Sequence, residues 1–101
     1  MVVLVTAPSR QEAEKISQAL LEAKLIACAN IIGPIASHFH WNGKIDEAEE
    51  YLILMKSCSD RFEQISEAVK KLHSYQVPEI IAMPISAASK TYLEWIEHSL
   101  K

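Results

Sequence analysis

Four histidines and two cysteines are the side chains of this chain best suited to hold a metal ion. Neutral imidazole binds copper, nickel and zinc, and a soft thiolate suits copper(I). His38 and His40 are separated by one residue of a predicted strand, so they share a face and can bind one divalent ion. The alternative, which is the more common situation, is that this face of the strand is polar because it is exposed.

His73 and Cys28 are the other candidate metal ligands. His73 lies in the last turn of a predicted helix, where it either ligates a metal or complements the negative end of the helix dipole. Cys28 and Cys58 lie beside apolar residues, and a free cysteine in such surroundings usually packs in a core. Thiols from several copies of the chain can also meet in an oligomer, so both interpretations stay open. His98 is predicted to be a surface residue.

A second group of side chains suits a small ligand better than a metal ion. Trp41, Lys56, Tyr75 and Glu79, together with His73, fall at the ends of predicted strands or a helix, where ligand clefts often form. A lysine, a histidine and a glutamate can bind an anion or transfer a proton there. Alternatively, Lys56 pairs with Glu79, and the two aromatic residues pack a seam between subunits.

No catalytic residue is assigned, and we expect a protein that is not an enzyme. The chain lacks a nucleophile elbow, an HExxH pair, a P-loop and a GxGxxG turn. An acidic run, Asp46, Glu47, Glu49 and Glu50, lacks the spacing of a calcium loop. We therefore predict that this run is a solvated loop or a frayed edge strand.

The first two elements that position these side chains are a strand and a helix. Residues 2–5 form a short β-branched run, typical of a buried strand, and a proline follows closely. Ser9 and Glu12 then have the spacing of a capping box, in which the hydroxyl accepts from an early helical N–H and Glu12 reaches back. Apolar residues at intervals of three and four predict a helix that ends near Lys24 or Leu25.

A long hairpin is predicted next. Residues 26–41 are largely apolar, but Gly33-Pro34 interrupts them, so this strand must bend, bulge or lie at a sheet edge. Asn42-Gly43 favours a type I′ turn, and the return strand runs from Lys44 to Met55.

The remaining elements complete the order βαββαβα. Ser59 or Asp60 is predicted to cap the second helix. A fourth strand is predicted over residues 79–85, and Ser86 or Ser89 caps a C-terminal helix.

This order predicts an α+β, ferredoxin-like split βαβ sandwich, in which two helices cover one face of a four-stranded antiparallel sheet. The C-terminal helix is an addition to that plan. Alternate residues of a strand point to opposite faces of the sheet, and in these strands both sets are largely apolar. The second face of the sheet would therefore also be apolar, so we expect copies of the chain to associate.

Length and composition limit the remaining possibilities. The chain has 101 residues, which predicts one domain, 1–101, and half of the residues are apolar. A net charge of −3 gives no general attraction to nucleic acid or anionic membranes, and no apolar stretch is long enough to span a bilayer. The first residues do not resemble a signal peptide, and two cysteines without CxxC spacing, too few for a disulfide scaffold, favour a reducing compartment. We therefore expect a cytoplasmic protein without nucleic-acid or membrane partners.

Five ordered segments resemble the CutA divalent-cation tolerance family: ACANII at 27–32, WNGKI at 41–45, MKS at 55–57, HSYQVPEI at 73–80 and YLEWI at 92–96. The resemblance implies a ferredoxin-like protomer in a homotrimer whose hairpin strands pair across subunits. It also implies a cytoplasmic protein linked to tolerance of copper and other divalent metals. The copper ligands proposed for enteric bacterial members correspond here to Val5, Leu72 and His73, so the resemblance carries over only His73.

The function expected from the sequence is thus divalent-cation tolerance by a homotrimer that binds a divalent metal, copper among them, or a small ligand. The alternative is an enzyme or a small-molecule signalling protein that uses a cleft between subunits around Lys56, His73 and Glu79.

Overall fold

The computed structural model describes residues 1–101 and begins with a strand and a helix that form half of the core. β1 (Val2–Ala7) alternates between half-buried and fully buried residues. α1 (Arg10–Glu22) is capped by Ser9, whose Oγ accepts from the Glu12 N–H at 3.1 Å. The predicted capping box is only half formed, because the Glu12 carboxylate bonds Ser74 instead of reaching back to the helix start.

The hairpin is longer and more regular than the sequence suggested. β2 (Cys28–Trp41) and β3 (Lys44–Lys56) pair from end to end, with Asn42 and Gly43 at φ 51° and 74°, as a type I′ turn requires. The register shifts at Gly33-Pro34 and β2 lies at the edge of the sheet, so two of the three predicted alternatives occur together. The expectation of a loop or frayed strand over the acidic run is wrong. The tight turn fixes the register, so ladder bonds continue through the charged residues.

The second half of the chain departs from prediction at its helix cap and its last strand. α2 (Phe62–Leu72) is entered through a short 3₁₀ helix, Ser59–Arg61, and receives no side-chain cap from Ser59 or Asp60. β4 (Ile80–Met83) is shorter than predicted because Pro84 has no N–H for the ladder. α3 (Lys90–Ser99) is capped by Ser89, which is one of the two predicted caps, Ser86 and Ser89.

The four strands form one antiparallel sheet in the order β2-β3-β1-β4, which confirms the ferredoxin-like topology. α1 and α2 cover one face, where their apolar stripes meet alternate residues of β1 and β3. This layer is the hydrophobic core: Val3, Val5, Ala7, Ala13, Ile16, Leu20, Ile26, Ile53, Met55, Ile65 and Val69. No helix is long and apolar enough to cross a membrane.

The opposite face of the sheet, which we call the open face, is apolar over β1, β3 and β4. Leu4 lies opposite Leu54 on one side and Ile81 on the other, and residues opposite one another share a face. Ile81 is 50% exposed, and Met83 and Ile32 on the same face are nearly as exposed. α3 lies near the end of the sheet that carries the chain's N-terminus, where Leu93 and the buried Ile96 line a pocket with Met1. The open face is thus an uncovered apolar surface in a single chain.

A methyl group at the bulge should disturb the hairpin. A Cβ on Gly33 would lie 2.5 Å from Cδ2 of Tyr51, so the ring must move. We expect Gly33→Ala to lower the free energy of unfolding by about 1–3 kcal/mol, as overpacking does. Chemical denaturation at fixed protein concentration measures the change. In a Tyr51→Leu background the penalty should shrink, and an equal penalty there would contradict the steric explanation.

Candidate functional site

The loop between α2 and β4, residues 73–79, is anchored by a buried histidine. The His73 side chain has no solvent exposure, and its Nε2 lies 2.7 Å from the Thr6 carbonyl oxygen. Its Nδ1 accepts the Tyr75 N–H at 3.0 Å, so Nε2 carries the proton and donates to Thr6. Both ring nitrogens are therefore occupied.

Glu12 fastens the same loop to the start of α1. One of its carboxylate oxygens accepts from the Ser74 N–H and Oγ at 3.1 and 3.0 Å, and it lies 3.3 Å from His73 Nδ1. The loop is thus held at two points, on β1 and on α1, which fixes the position of the residues that follow.

The anchored loop places Tyr75 against a buried carboxylate. The Tyr75 hydroxyl donates to Glu50 Oε2 at 2.7 Å, and Glu50 is only 6% exposed although it belongs to the acidic run. Burial, this hydrogen bond and the charge of Glu50 raise the pKa of Tyr75 to about 12. Partial burial and the charge of Glu50 also raise the pKa of Glu79. Tyr75 therefore remains a protonated donor at neutral pH.

A cleft of about 770 Å³ lies between this loop and the outer half of the hairpin, and we call it the hairpin cleft. Trp41, Tyr75 and Glu79, three of the four predicted cleft residues, line it together. Phe39 contributes a second aromatic wall beside Trp41. The cleft contains no lysine or arginine.

Lys56, the fourth predicted cleft residue, lies elsewhere. It is opposite Val2 and Cys28 at the far end of the sheet, and its Nζ donates to Asn30 Oδ1. The antiparallel pairing of β1 with β3 and β4 puts Lys56 and Glu79 at opposite ends of β1. The alternative in which these two side chains pair does not occur within one chain.

The candidate metal ligands are scattered over the molecule. His38 lies on the hairpin with its Nδ1 3.4 Å from Glu47 Oε2, and both side chains are well exposed. His40, two residues on, is opposite Ile45. Cys28 Sγ lies 4.0 Å from the Tyr92 hydroxyl, and both cysteines are free thiols.

A copper site built on His73 and Cys28 does not fit these residues. Both nitrogens of His73 are engaged by backbone groups, and nowhere in the chain do three His, Cys, Asp or Glu side chains converge as metal ligands. The His38–Glu47 pair is the remaining combination of an imidazole and a carboxylate within reach of one ion.

Sequence reasoning missed the role of Glu50. It was grouped with the solvated acidic residues, yet it is in phase with Leu52 and Leu54, whose alternate positions face the same side of β3. Glu50 precedes Leu52 by two residues, so the alternation of the strand predicts that its side chain lies on the open face. The position of the loop that buries it could not be read from the sequence.

Comparison with known proteins gives concordant results. A family model described as CutA1 divalent ion tolerance protein matches residues 1–99. A divalent-cation tolerance protein CutA from Thermus thermophilus is 42% identical over 98 residues, covering 97% of this chain and 95% of that one. A chloroplastic CutA of Arabidopsis thaliana is 39% identical, and this chain spans 56% of its length. The solved structure of a periplasmic CutA from Archaeoglobus fulgidus has a TM-score of 0.96 at 44% identity, covering 99% of this chain and 97% of that one.

These relatives correct the expected cytoplasmic location. The Archaeoglobus fulgidus protein is named periplasmic and the Arabidopsis thaliana protein chloroplastic, so the family is not confined to the cytoplasm. The inference from cysteine usage was wrong for a physical reason. A fold that needs no disulfide is compatible with oxidising and reducing compartments alike, so free cysteines do not discriminate between them.

Removing the Tyr75 hydroxyl should destabilise the protein. Tyr75→Phe leaves the buried Glu50 carboxylate without its donor, so we expect the free energy of unfolding to fall by about 1–3 kcal/mol. Denaturant unfolding measures this, with Tyr92→Phe as the matched control because that hydroxyl has only a long contact to sulfur. In a Glu50→Leu background the loss should largely disappear, and a full loss there would contradict the assigned partner.

Proposed function

Because the chain belongs to the CutA1 divalent ion tolerance family, we propose that it acts in tolerance of divalent cations, copper among them, as a homotrimer that binds these ions. The observation that carries the proposal is the match of the family over residues 1–99 together with the same fold in its relatives. The relatives bear the names of tolerance proteins and not of enzymes, which supports a binding function and not a catalytic one.

The open face supports assembly. Monomeric proteins rarely leave a continuous apolar surface of this kind uncovered. β2 is also an edge strand, so one side of its backbone has no partner within the chain. A second copy can cover the apolar residues and pair with the free edge. The number of three subunits comes from the resemblance to the family.

The hairpin supports weak binding of divalent ions. His38 and Glu47 offer one nitrogen and one oxygen donor, and His40 lies two residues along the same strand. Imidazole and carboxylate together suit copper, nickel and zinc. Protein sites that hold such ions firmly use three or four protein ligands, so a pair of ligands accounts for weak binding with little selectivity.

A second candidate function is binding of a small molecule in the hairpin cleft, for signalling or transport. The observation that favours it is the buried Glu50 carboxylate beside Tyr75 in a cleft with aromatic walls. The volume of the cleft lies in the range of small-molecule sites, and aromatic and charged side chains share its lining.

A charge on the open face should disrupt assembly. In the proposed trimer Leu54 is covered by a second copy, so Leu54→Asp would bury an unpaired carboxylate. We expect light scattering to give a mass near three chains for the unaltered protein and a smaller mass for Leu54→Asp. Lys70→Glu, on the exposed side of α2, should keep the full mass. An unchanged mass for Leu54→Asp would contradict an interface on this face.

Removing the hairpin histidines should weaken copper binding. Calorimetric titration of the metal-free protein with copper(II) should show saturable binding. In the double variant His38→Ala/His40→Ala the copper affinity should fall about tenfold or more, since imidazole is a stronger donor for copper than carboxylate. His98→Ala, on α3, is the matched control. Equal affinity in both variants would exclude the hairpin as the metal site. A trimer that takes up no copper would overturn the metal-binding part of the proposal.

A further inference from the structure

We propose that Asn42, in the turn between β2 and β3, is a site of spontaneous backbone modification. Its carboxamide forms a cyclic imide with the backbone nitrogen of Gly43, and hydrolysis of the imide leaves aspartate or isoaspartate at position 42. The isoaspartate form disrupts the turn. This inference concerns the chemistry of the chain itself and is independent of the metal binding and the cleft discussed above.

The reaction needs only water and these two residues. The Gly43 nitrogen gives its proton to solvent and attacks Cγ of Asn42, and the new N–Cγ bond closes a five-membered ring while the Cγ–Nδ2 bond breaks and ammonia leaves. Water then breaks one of the two carbonyl–nitrogen bonds of the ring. Cleavage at Cγ gives aspartate on the original backbone, whereas cleavage at the backbone carbonyl gives isoaspartate, whose chain runs through Cβ and Cγ. No oxidant or reductant takes part.

The structure leaves the reacting groups unobstructed. Gly43 carries no Cβ that would hinder the approach of the carboxamide. Both turn residues are exposed, and a Cβ built on Gly43 has no heavy atom within 4 Å. The ladder ends at the pair Trp41–Lys44, and the Gly43 N–H belongs to none of the backbone hydrogen bonds outside the helices and strands. The attacking nitrogen is therefore not engaged by the backbone.

The turn also lies outside the surfaces assigned to assembly. The proposed trimer covers the open face and the free edge of β2, both of which end at the last ladder pair, whereas Asn42 and Gly43 extend beyond that pair. Ile45, beside the turn on the face of β3 opposite the open face, is 76% exposed. We therefore expect the turn to stay exposed in the assembled protein.

The conformation of the turn controls the rate of the reaction. Asn42 has φ 51° and Gly43 has φ 74°, as in a type I′ turn. Such a turn has ψ of about +30° at its first central residue, which directs the following nitrogen away from Cβ. The ring cannot close until the turn opens, and only the last ladder pairs resist that opening. The modification is therefore slower in the folded protein than in an unfolded chain.

The two products differ in their effect on the hairpin. Asp-Gly is a favoured pair for a type I′ turn, so the aspartate form keeps the hairpin intact. Isoaspartate adds one backbone atom to a two-residue loop. Because the loop fixes the register, the pairs nearest the turn, Trp41 with Lys44 and His40 with Ile45, lose their alignment. The outer half of the hairpin then becomes less stable.

Ageing of the unaltered protein in its native assembly tests the inference. The protein is incubated at neutral and mildly alkaline pH, and the peptide that contains residue 42 is followed by mass spectrometry. Enzymatic methylation with S-adenosylmethionine identifies isoaspartate. We expect conversion at Asn42 that becomes faster as the pH rises, because the attacking nitrogen must lose its proton. In concentrated guanidinium chloride the conversion should be about tenfold faster or more, as gating by a local opening requires.

Asn30 is the matched control within the same chain, which contains no third asparagine. It lies inside β2 opposite Leu54, its Oδ1 accepts from Lys56, and the β-branched Ile31 follows it. Asn30 should remain unmodified, and equal conversion there would overturn the role of the turn. An intact Asn42 in the folded protein, with conversion only in guanidinium chloride, would overturn the inference, since the turn would then be closed or covered by a second copy.

Two variants test the structural consequence. Asn42→Gly removes the carboxamide and keeps a pair that suits the turn, and Asn42→Asp introduces the charge of the aspartate product. The thermal midpoint of the aged unaltered protein should fall in proportion to its isoaspartate content. Fresh Asn42→Asp should match the fresh unaltered protein, and Asn42→Gly should keep its own midpoint on ageing. An equal fall in either variant would overturn the assignment of the loss to isoaspartate.

Discussion

The pairing of β3 with its two neighbours is the constraint on which the rest of the structure depends. Its C-terminal half lies between β1 and β2 and supplies Ile53 and Met55 to the core. Its N-terminal half continues beyond the end of β1 and pairs with β2 alone. One strand therefore builds both the stable centre of the sheet and the arm that forms the wall of the hairpin cleft. Glu50 lies where β1 ends, at the boundary between these two regions.

The loop after α2 turns that boundary into an enclosed polar site. His73 bonds the carbonyl of Thr6, near the end of β1, and Glu12 holds the neighbouring Ser74 from the start of α1. Tyr75 is then fixed over Glu50. His73, one of the candidate metal ligands, has a structural role in the single chain, because both of its ring nitrogens are used in anchoring the loop. The exposed side chains of His38 and Glu47 on the hairpin take no part in this anchoring.

Most of the fold could be predicted from local patterns. Ser9 and Ser89 cap helices because their hydroxyls meet a specific N–H three residues on, and Asn42-Gly43 turns because both residues tolerate positive φ. Short continuous apolar runs placed β1 and the second half of β3 correctly. The acidic half of β3 was mispredicted, since charge says where a strand lies relative to water but not whether its backbone is paired.

The candidate site was less predictable, because its members are far apart in the sequence. Trp41, Tyr75 and Glu79 were predicted together and line one cleft of the single chain. Lys56 was predicted with them, but the antiparallel register places it at the opposite end of the sheet. The sequence by itself determined the order of elements, the hairpin turn, the apolar open face and the membership of the family. Only the tertiary structure decided that His73 is enclosed, that Glu50 is buried beside Tyr75 and that the metal candidates do not converge. Capping, turns and alternation depend on neighbours within a few residues, whereas burial and charge pairing depend on which distant segments the sheet brings together.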